Sequence, residues 1–148
     1  MSITYICWVV ACALMVFAAI VDLRTYRVPL IAVLGIAATG ILYRYLMGAP
    51  MLTVLVIAIG LSVLLLVLAK LLEVIRLKPV LGYGDVQLFF ASLLWIPIHR
   101  LSLFFILTGI VGLILALFFM RKRYFPLAPA IGVAWAICLI GSKKIFGM

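Results

Sequence analysis

Six apolar segments, most of them about twenty residues long, occupy almost the whole of this 148-residue chain. A helix needs about 20 apolar residues to cross the hydrocarbon core of a bilayer. In lipid such a segment must also pair all of its own backbone polar groups, as a helix does. The pattern therefore predicts an all-α membrane protein with six transmembrane helices, folded as a single domain over residues 1–148. The predicted segments are 3–21, 28–47, 51–72, 86–98, 101–120 and 124–141.

Composition excludes several classes of protein. Hydrophobic residues make up 70% of the chain and charged residues 10%, whereas a soluble domain is about half apolar and about a quarter charged. A soluble enzyme and a disordered tail are therefore excluded. The net charge of +9 is typical of nucleic-acid binding, but the basic residues form short clusters between the apolar segments, so no nucleic-acid partner is expected. The three cysteines lack the spacing of a metal site or a disulfide framework.

The positions of the basic residues indicate the orientation in the membrane. No Lys or Arg precedes the first apolar segment, so it does not resemble a signal peptide, and Arg24 and Arg27 follow it directly. Cytoplasmic loops carry an excess of Lys and Arg. Alternation of the spans then places eight basic residues on the cytoplasmic side and four on the other. We therefore expect both termini on the non-cytoplasmic side.

The fourth segment is too short to span a bilayer. Its thirteen residues make a helix of about 20 Å, against a hydrocarbon core of about 30 Å. We expect residues 82–85, which precede it, to be irregular backbone at membrane depth. Such backbone is tolerated only where it is buried in protein or lines a water-filled cavity, so this stretch is predicted to belong to a functional site.

The three acidic residues fall into two groups. Glu73 has Lys70 and Arg76 three residues away on either side, which places them on one helix face and predicts a structural ion pair. Asp22 and Asp85 have no basic residue at these spacings. Asp22 closes the first span, where the helix dipole disfavours a negative charge. Asp85 precedes an apolar run and is also compatible with a role as the N-cap of the fourth helix.

Both unpaired aspartates are predicted at the cytoplasmic ends of their helices. Two carboxylates close together in a partly dry site cannot both ionise cheaply, so they share one proton and their pKa values separate. One can then act as a general base on water and the other as a general acid on the leaving amine, without a metal or cofactor. Gly82 and Gly84 would allow the backbone to approach Asp85 and a substrate strand closely.

Three stretches, in this order, resemble the motifs of the type IV prepilin peptidases, which are GxGD intramembrane aspartyl proteases. Residues 22–29 (DLRTYRVP) resemble the first-aspartate motif, residues 82–86 (GYGDV) the GxGD signature, and residues 125–130 (FPLAPA) the PxxP segment that opens the final helix. The resemblance implies a protease of the bacterial cytoplasmic (inner) membrane. It implies that Asp22 and Asp85 are the catalytic pair, and that the enzyme cuts type IV pilin-like precursors after the leader Gly, just before the pilin's apolar helix.

The resemblance also suggests further residues and two absences. The short tight-adherence (Flp) pilus type, which this chain resembles, lacks the zinc-binding and methyltransferase region of longer members, so neither zinc nor methyl transfer is expected. Leu30 stands where Asn or Asp is frequent, and Gln87 where Lys is frequent, which leaves the substrate preference open. The residues implied to shape the loop or bind substrate are Gly82, Tyr83, Gly84, Pro29, Pro126 and Pro129.

Two other classes of function remain open from the sequence. A small proton or solute transporter also uses intramembrane carboxylates, but there is no internal repeat and no chain of polar residues leading outward from Asp85. A noncatalytic subunit of a membrane assembly would retain its function when both aspartates are replaced by asparagine. The sequence indicates membrane lipids and a precursor protein as partners, but neither the precursor's identity nor the oligomeric state.

Overall fold

The computed structural model of the chain describes residues 3–76, 82–118 and 126–140. Within these ranges the chain is helical and contains no strand, which confirms the predicted class. A single 3-10 turn (Ile98–Arg100) joins the fourth helix to the fifth. The α-helices are α1 (Ile3–Thr25), α2 (Leu30–Leu46), α3 (Met51–Arg76), α4 (Tyr83–Leu93), α5 (Leu101–Phe118) and α6 (Ala128–Ile140).

Long and short helices alternate along the chain. Three stretches are long and apolar enough to cross a bilayer, namely Ile3–Thr25, Met51–Ile75 and Ile98–Phe118. Helices α2, α4 and α6 have only 17, 11 and 13 residues. The long helices indicate a membrane protein, whereas six complete spans and the side on which the termini lie stay predictions. Residues 1–2 and 141–148 lie outside the described residues.

The short helix α4 lies at the centre of the bundle. It packs against α2, α3 and α6, while α1 packs against α2 and α6, and α5 packs against α6. The chain is almost fully buried where α4 ends, and Trp95 is 1% exposed. The Trp95 indole N–H donates a hydrogen bond to the Ile36 carbonyl at 3.0 Å. The Trp95 ring stacks on Tyr43, with 4.9 Å between ring centroids, and packs edge-on against Trp135, with 5.9 Å between centroids. These contacts hold α4 against α2 and α6.

Two arginines pair the carbonyl groups at the ends of the short helices. The Arg44 guanidinium donates to the carbonyls of Leu94 at 2.8 Å and Ile96 at 2.7 Å, just beyond α4. Arg100 donates to the Cys138 carbonyl in the last turn of α6 at 2.8 Å. The last carbonyls of a helix have no partner within it, and a cation there also interacts favourably with the helix dipole. These short helices can therefore end inside the bundle.

The structure corrects the predicted boundaries at both aspartates. The fourth helix begins at Tyr83, three residues before the predicted start, so residues 83–85 form its first turn and the prediction of irregular backbone there was wrong. Gly82, in an extended conformation, is the N-cap, and its carbonyl accepts the N–H of Asp85 at 3.1 Å. The first helix runs on to Thr25, so Asp22 lies within it rather than at its end.

Candidate active site

Asp22 is buried because the C-terminal part of α1 lies against the beginning of α6. The residue is 3% exposed, and its Oδ2 accepts a hydrogen bond from the Ala128 N–H at 3.0 Å. Ala128 is the first residue of α6, and the carbonyl of Leu127 before it already accepts a bond from this helix. Leu127 has no polar side chain with which to cap α6, and Pro129 has no N–H. Asp22 therefore acts as an N-cap supplied by another helix.

The chain turns sharply just after Asp22. The N–H of Tyr26 bonds to the Asp22 carbonyl at 2.8 Å, and Tyr26 has a φ of 54°. This left-handed conformation ends many helices, but it costs a residue other than glycine roughly 1–2 kcal/mol. The turn brings Arg27 and Val28 to the same cavity as Asp22. Local strain is therefore placed next to the candidate catalytic side chain.

Asp85 occupies the third position of α4. The Gly82 N–H donates a hydrogen bond to the Asp85 carboxylate, as a side chain at this position does in a capping box. The alternative that Asp85 is itself the N-cap was wrong, because Gly82 has that position. Its Oδ1 is buried and has no hydrogen-bond partner among the residues that the structure describes. A capping role therefore explains the hydrogen bond from Gly82 but not the buried, unpartnered Oδ1.

The electrostatic environment of Asp85 favours its protonated form. Asp85 lies outside the three long apolar stretches. Burial, together with the nearby Asp22 carboxylate, raises the pKa of Asp85 to about 7, although the Gly82 N–H opposes the shift. The Asp22 carboxylate therefore disfavours the charged form of Asp85. At neutral pH Asp85 is available both as a protonated acid and as a carboxylate.

Asp22 and Asp85 line one cavity of about 310 Å³. Since a water molecule occupies about 30 Å³ in the liquid, the cavity has room for several waters or for a short length of extended peptide. Sequence reasoning identified five of the lining residues and missed three, although all three follow Asp22 within its motif. The lining residues are Asp22, Tyr26, Arg27, Val28, Gly82, Tyr83, Gly84 and Asp85.

The two glycines are needed for space rather than for backbone conformation. A Cβ atom added to Gly84 would lie 3.0 Å from the Cβ of Val28. A Cβ atom added to Gly82 would lie 3.2 Å from Oδ2 of Asp85. Neither glycine has a positive φ. The absent side chain of Gly84 lets the start of α4 approach Val28 closely, and that of Gly82 leaves room for the Asp85 carboxylate at the wall of the cavity.

The three predicted prolines do not line this cavity. Pro29 is the N-cap of α2, and its carbonyl accepts the N–H groups of Ala32 and Val33. Pro126 is buried before α6, and Pro129 lines a separate apolar cavity between α1 and α6. Their implied roles in loop shaping or substrate binding stay predictions.

The remaining acid, Glu73, lies apart from this cavity. Its Oε2 forms a salt bridge of 2.8 Å with Lys70, which confirms the predicted local pairing. The Arg76 side chain lies outside what the structure describes. Across residues 3–76, 82–118 and 126–140, no group of three His, Cys, Asp or Glu side chains is arranged to hold a metal ion.

Comparison with known proteins gives one match. The sequence profile of the type IV leader peptidase family matches residues 9–117. The matched region contains both aspartates and every residue that lines their cavity. No curated protein and no solved structure matches the chain significantly.

Proposed function

The chain belongs to the type IV leader peptidase family, and on this premise we propose that it is an aspartic endopeptidase. Its substrates are type IV pilin-like precursors, which it cuts after the leader Gly at the cytoplasmic face of the bacterial inner membrane. The observation that carries the proposal is the cavity shared by Asp22 and Asp85. These are two of the chain's three acidic residues, and both lack a basic partner among their helical neighbours.

The surroundings of the two aspartates suggest different roles for them. The Ala128 N–H bonded to Asp22, at the positive end of the α6 dipole, stabilises negative charge on that carboxylate. Asp85, with a pKa of about 7, retains a proton in much of the population at neutral pH. We assign Asp22 as the general base and Asp85 as the general acid.

The reaction is a hydrolysis that needs no other reagent than water. Asp22 takes a proton from a water molecule in the cavity, and the water oxygen bonds to the scissile carbonyl carbon. Asp85 gives its proton to the departing amide nitrogen as the C–N bond breaks. The products are a carboxylic acid at the end of the leader, which loses its proton to solvent, and a free amine on the mature chain, which takes up a proton from solvent. The proton on Asp22 then returns to Asp85 through solvent, which restores the pair.

The experiment that tests this function compares all three acids. Asp22→Asn, Asp85→Asn and Glu73→Gln variants are co-expressed with a pilin-like precursor, and cleavage is followed by immunoblotting at matched membrane levels of enzyme. Asn preserves the shape of the carboxylate and can still accept the Ala128 hydrogen bond. We expect uncleaved precursor with both Asn variants and wild-type cleavage with Glu73→Gln. Wild-type cleavage by either Asn variant would refute the proposal.

A further inference from the structure

A second cavity of about 370 Å³ lies between α2, α3 and α4. We call it the α2–α3–α4 groove. Its walls are apolar except for one residue on α3 and one on α4. The lining residues are Leu30, Val33, Leu34, Ala37, Ser62, Val86, Gln87 and Phe90.

Along two segments of the chain, residues that line the groove are close sequence neighbours of residues that line the aspartate cavity. Asp85 lines the aspartate cavity, and the next two residues, Val86 and Gln87, line the groove. Val28 lines the aspartate cavity, and Leu30, two residues further on, lines the groove. A peptide held at the aspartates can therefore continue into the groove past the first turn of α4.

Ser62 is the unusual residue in the groove. It is 8% exposed, and its Oγ has no hydrogen-bond partner among the described residues. Thr39, Ser92 and Thr108 are also on helices, and each donates its hydroxyl to the carbonyl four residues before it at 2.8 Å. A buried hydroxyl without a partner costs about 1–3 kcal/mol. Ser62 is therefore a donor and acceptor left open in an apolar wall.

The chemistry of the groove favours a peptide over a lipid chain. A protease must open the helix of its substrate near the scissile bond, which leaves backbone N–H and C=O groups unpaired, at a cost of several kcal/mol each in an apolar medium. The Ser62 hydroxyl on α3 and the Gln87 amide on α4 both line the groove, and both groups can donate and accept hydrogen bonds. An acyl chain has no group that would bond to either.

We infer that the α2–α3–α4 groove binds the apolar segment of the precursor beside the scissile bond, with Ser62 and Gln87 pairing its freed backbone groups. The inference rests on the proposed function, because it assigns the groove to the substrate of the aspartate pair. A contrasting cavity of about 330 Å³ lies between α1 and α6, and most of its lining side chains are apolar, among them Val16, Pro129 and Ala136. The Cys12 thiol and Trp135, whose buried Nε1 has no hydrogen-bond partner among the described residues, also line it. Because it offers no comparable side-chain hydroxyl or amide, it provides the control surface.

The first test is kinetic, with purified enzyme in vesicles of phosphatidylethanolamine and phosphatidylglycerol. Ser62→Ala removes the open hydroxyl, and Ala37→Leu fills the groove. The matched controls are Ser92→Ala, which removes a hydroxyl bonded within its own helix, and Ala136→Leu, which fills the α1–α6 cavity. We expect KM to rise about fivefold for both groove variants, as loss of about 1 kcal/mol of binding predicts, with kcat retained. Both controls should keep the wild-type KM.

The second test is photo-crosslinking from a benzophenone residue at Leu34 in the groove or at Val16 in the α1–α6 cavity, in an Asp85→Asn background. We expect the precursor to crosslink at Leu34, and Ala37→Leu to weaken that crosslink. Crosslinks to lipid alone at Leu34, or an unchanged KM in Ser62→Ala and Ala37→Leu, would overturn the groove assignment. Neither result bears on the aspartates, because the proposed function fails only if the Asn variants process the precursor.

Discussion

Oδ2 of Asp22 lies 3.0 Å from the backbone nitrogen of Ala128, which donates a hydrogen bond to it across 106 positions of the sequence. This bond joins the last turn of α1 to the start of α6. It stabilises an otherwise uncapped helix and fixes one oxygen of the carboxylate, while the residue also lines the cavity that contains Asp85. The same side chain thus serves the fold and the proposed reaction, and variants can separate the two contributions.

Asp22→Ala and Asp22→Asn should differ in stability but not in activity. Asn keeps an oxygen that can accept the Ala128 bond, whereas Ala leaves the N-terminus of α6 uncapped at a cost of about 1 kcal/mol. We expect both variants to be inactive and only Asp22→Ala to unfold at a lower temperature, measured by thermal unfolding in detergent. Equal unfolding temperatures for the two variants would show that the bond does not support α6.

Cleavage should slow as the pH rises through neutrality. The general acid must be protonated, and Asp85 loses its proton with a pKa of about 7. The value of kcat should therefore decrease about tenfold for each pH unit well above 7. The measurement is a pH series with enzyme and precursor in the same vesicles. A rate that increases from pH 7 to pH 9 would contradict the assignment of Asp85 as the acid.

The same pKa shift makes stability depend on pH. The folded protein holds the Asp85 proton more tightly than the unfolded chain, because the pKa rises from 3.8 to about 7. The stabilising contribution of the protonated group is complete below pH 3.8 and is lost as the pH rises to about 7. We expect Asp85→Asn to remove this part of the pH dependence of unfolding. A wild-type pH dependence in Asp85→Asn would assign the effect to other groups.

Gly84→Ala should reduce activity by displacing the first turn of α4. The new Cβ would lie 3.0 Å from the Cβ of Val28, so one of the two segments must move, and Asp85 follows Gly84 directly. We expect a lower kcat, and partial recovery in the double variant with Val28→Ala. Gly60→Ala is the control, because no atom lies within 4 Å of its added Cβ. If Gly84→Ala is folded but the double variant does not regain activity, Val28 is not the residue that the new Cβ displaces.

Arg44→Gln should destabilise the helix bundle without changing the aspartate cavity, which Arg44 does not line. It removes the guanidinium that pairs the carbonyls of Leu94 and Ile96, and hydrogen bonds from charged groups contribute about 1.5–3 kcal/mol each. Thermal unfolding should occur at a lower temperature than in wild type. The control is Arg24→Gln, at an exposed position of α1. It should unfold at the same temperature as the wild-type protein.

The sequence predicted correctly those structural features that depend on residues close together in the chain. The pairing of Glu73 with Lys70 follows from their spacing on one helix, and the apolar segments predict the six helices. Residues 82–85 were interpreted as irregular backbone because the apolar segment that follows them is too short to span a bilayer. Instead, Gly82 is the N-cap of α4, and Gly84 in its first turn provides room for Val28. The sequence pattern alone could not show why Gly84 is needed, because its role depends on contact with Val28 in another segment.

Tertiary contacts account for most of what the sequence could not predict. Arg44 and Arg100 were useful only for membrane orientation, yet each pairs carbonyls at the end of a short helix. The capping of α6 by Asp22 joins distant parts of the chain, so no local pattern reveals it. Tyr26, Arg27 and Val28 reach the cavity only because α1 ends in a left-handed residue. Asp22 and Asp85 were identified because their lack of local partners is visible in the sequence itself.

The most direct test of the aspartate pair is a double-mutant comparison with purified enzyme and a pilin-like precursor. The kcat/KM of Asp22→Asn, Asp85→Asn and the double variant are measured under one condition, with Glu73→Gln as the control. Residues that act as a unit have non-additive effects on rate. We predict that each single variant decreases kcat/KM to the same residual level and that the double variant decreases it no further. Full activity in either single variant, or losses that multiply in the double variant, would contradict the account.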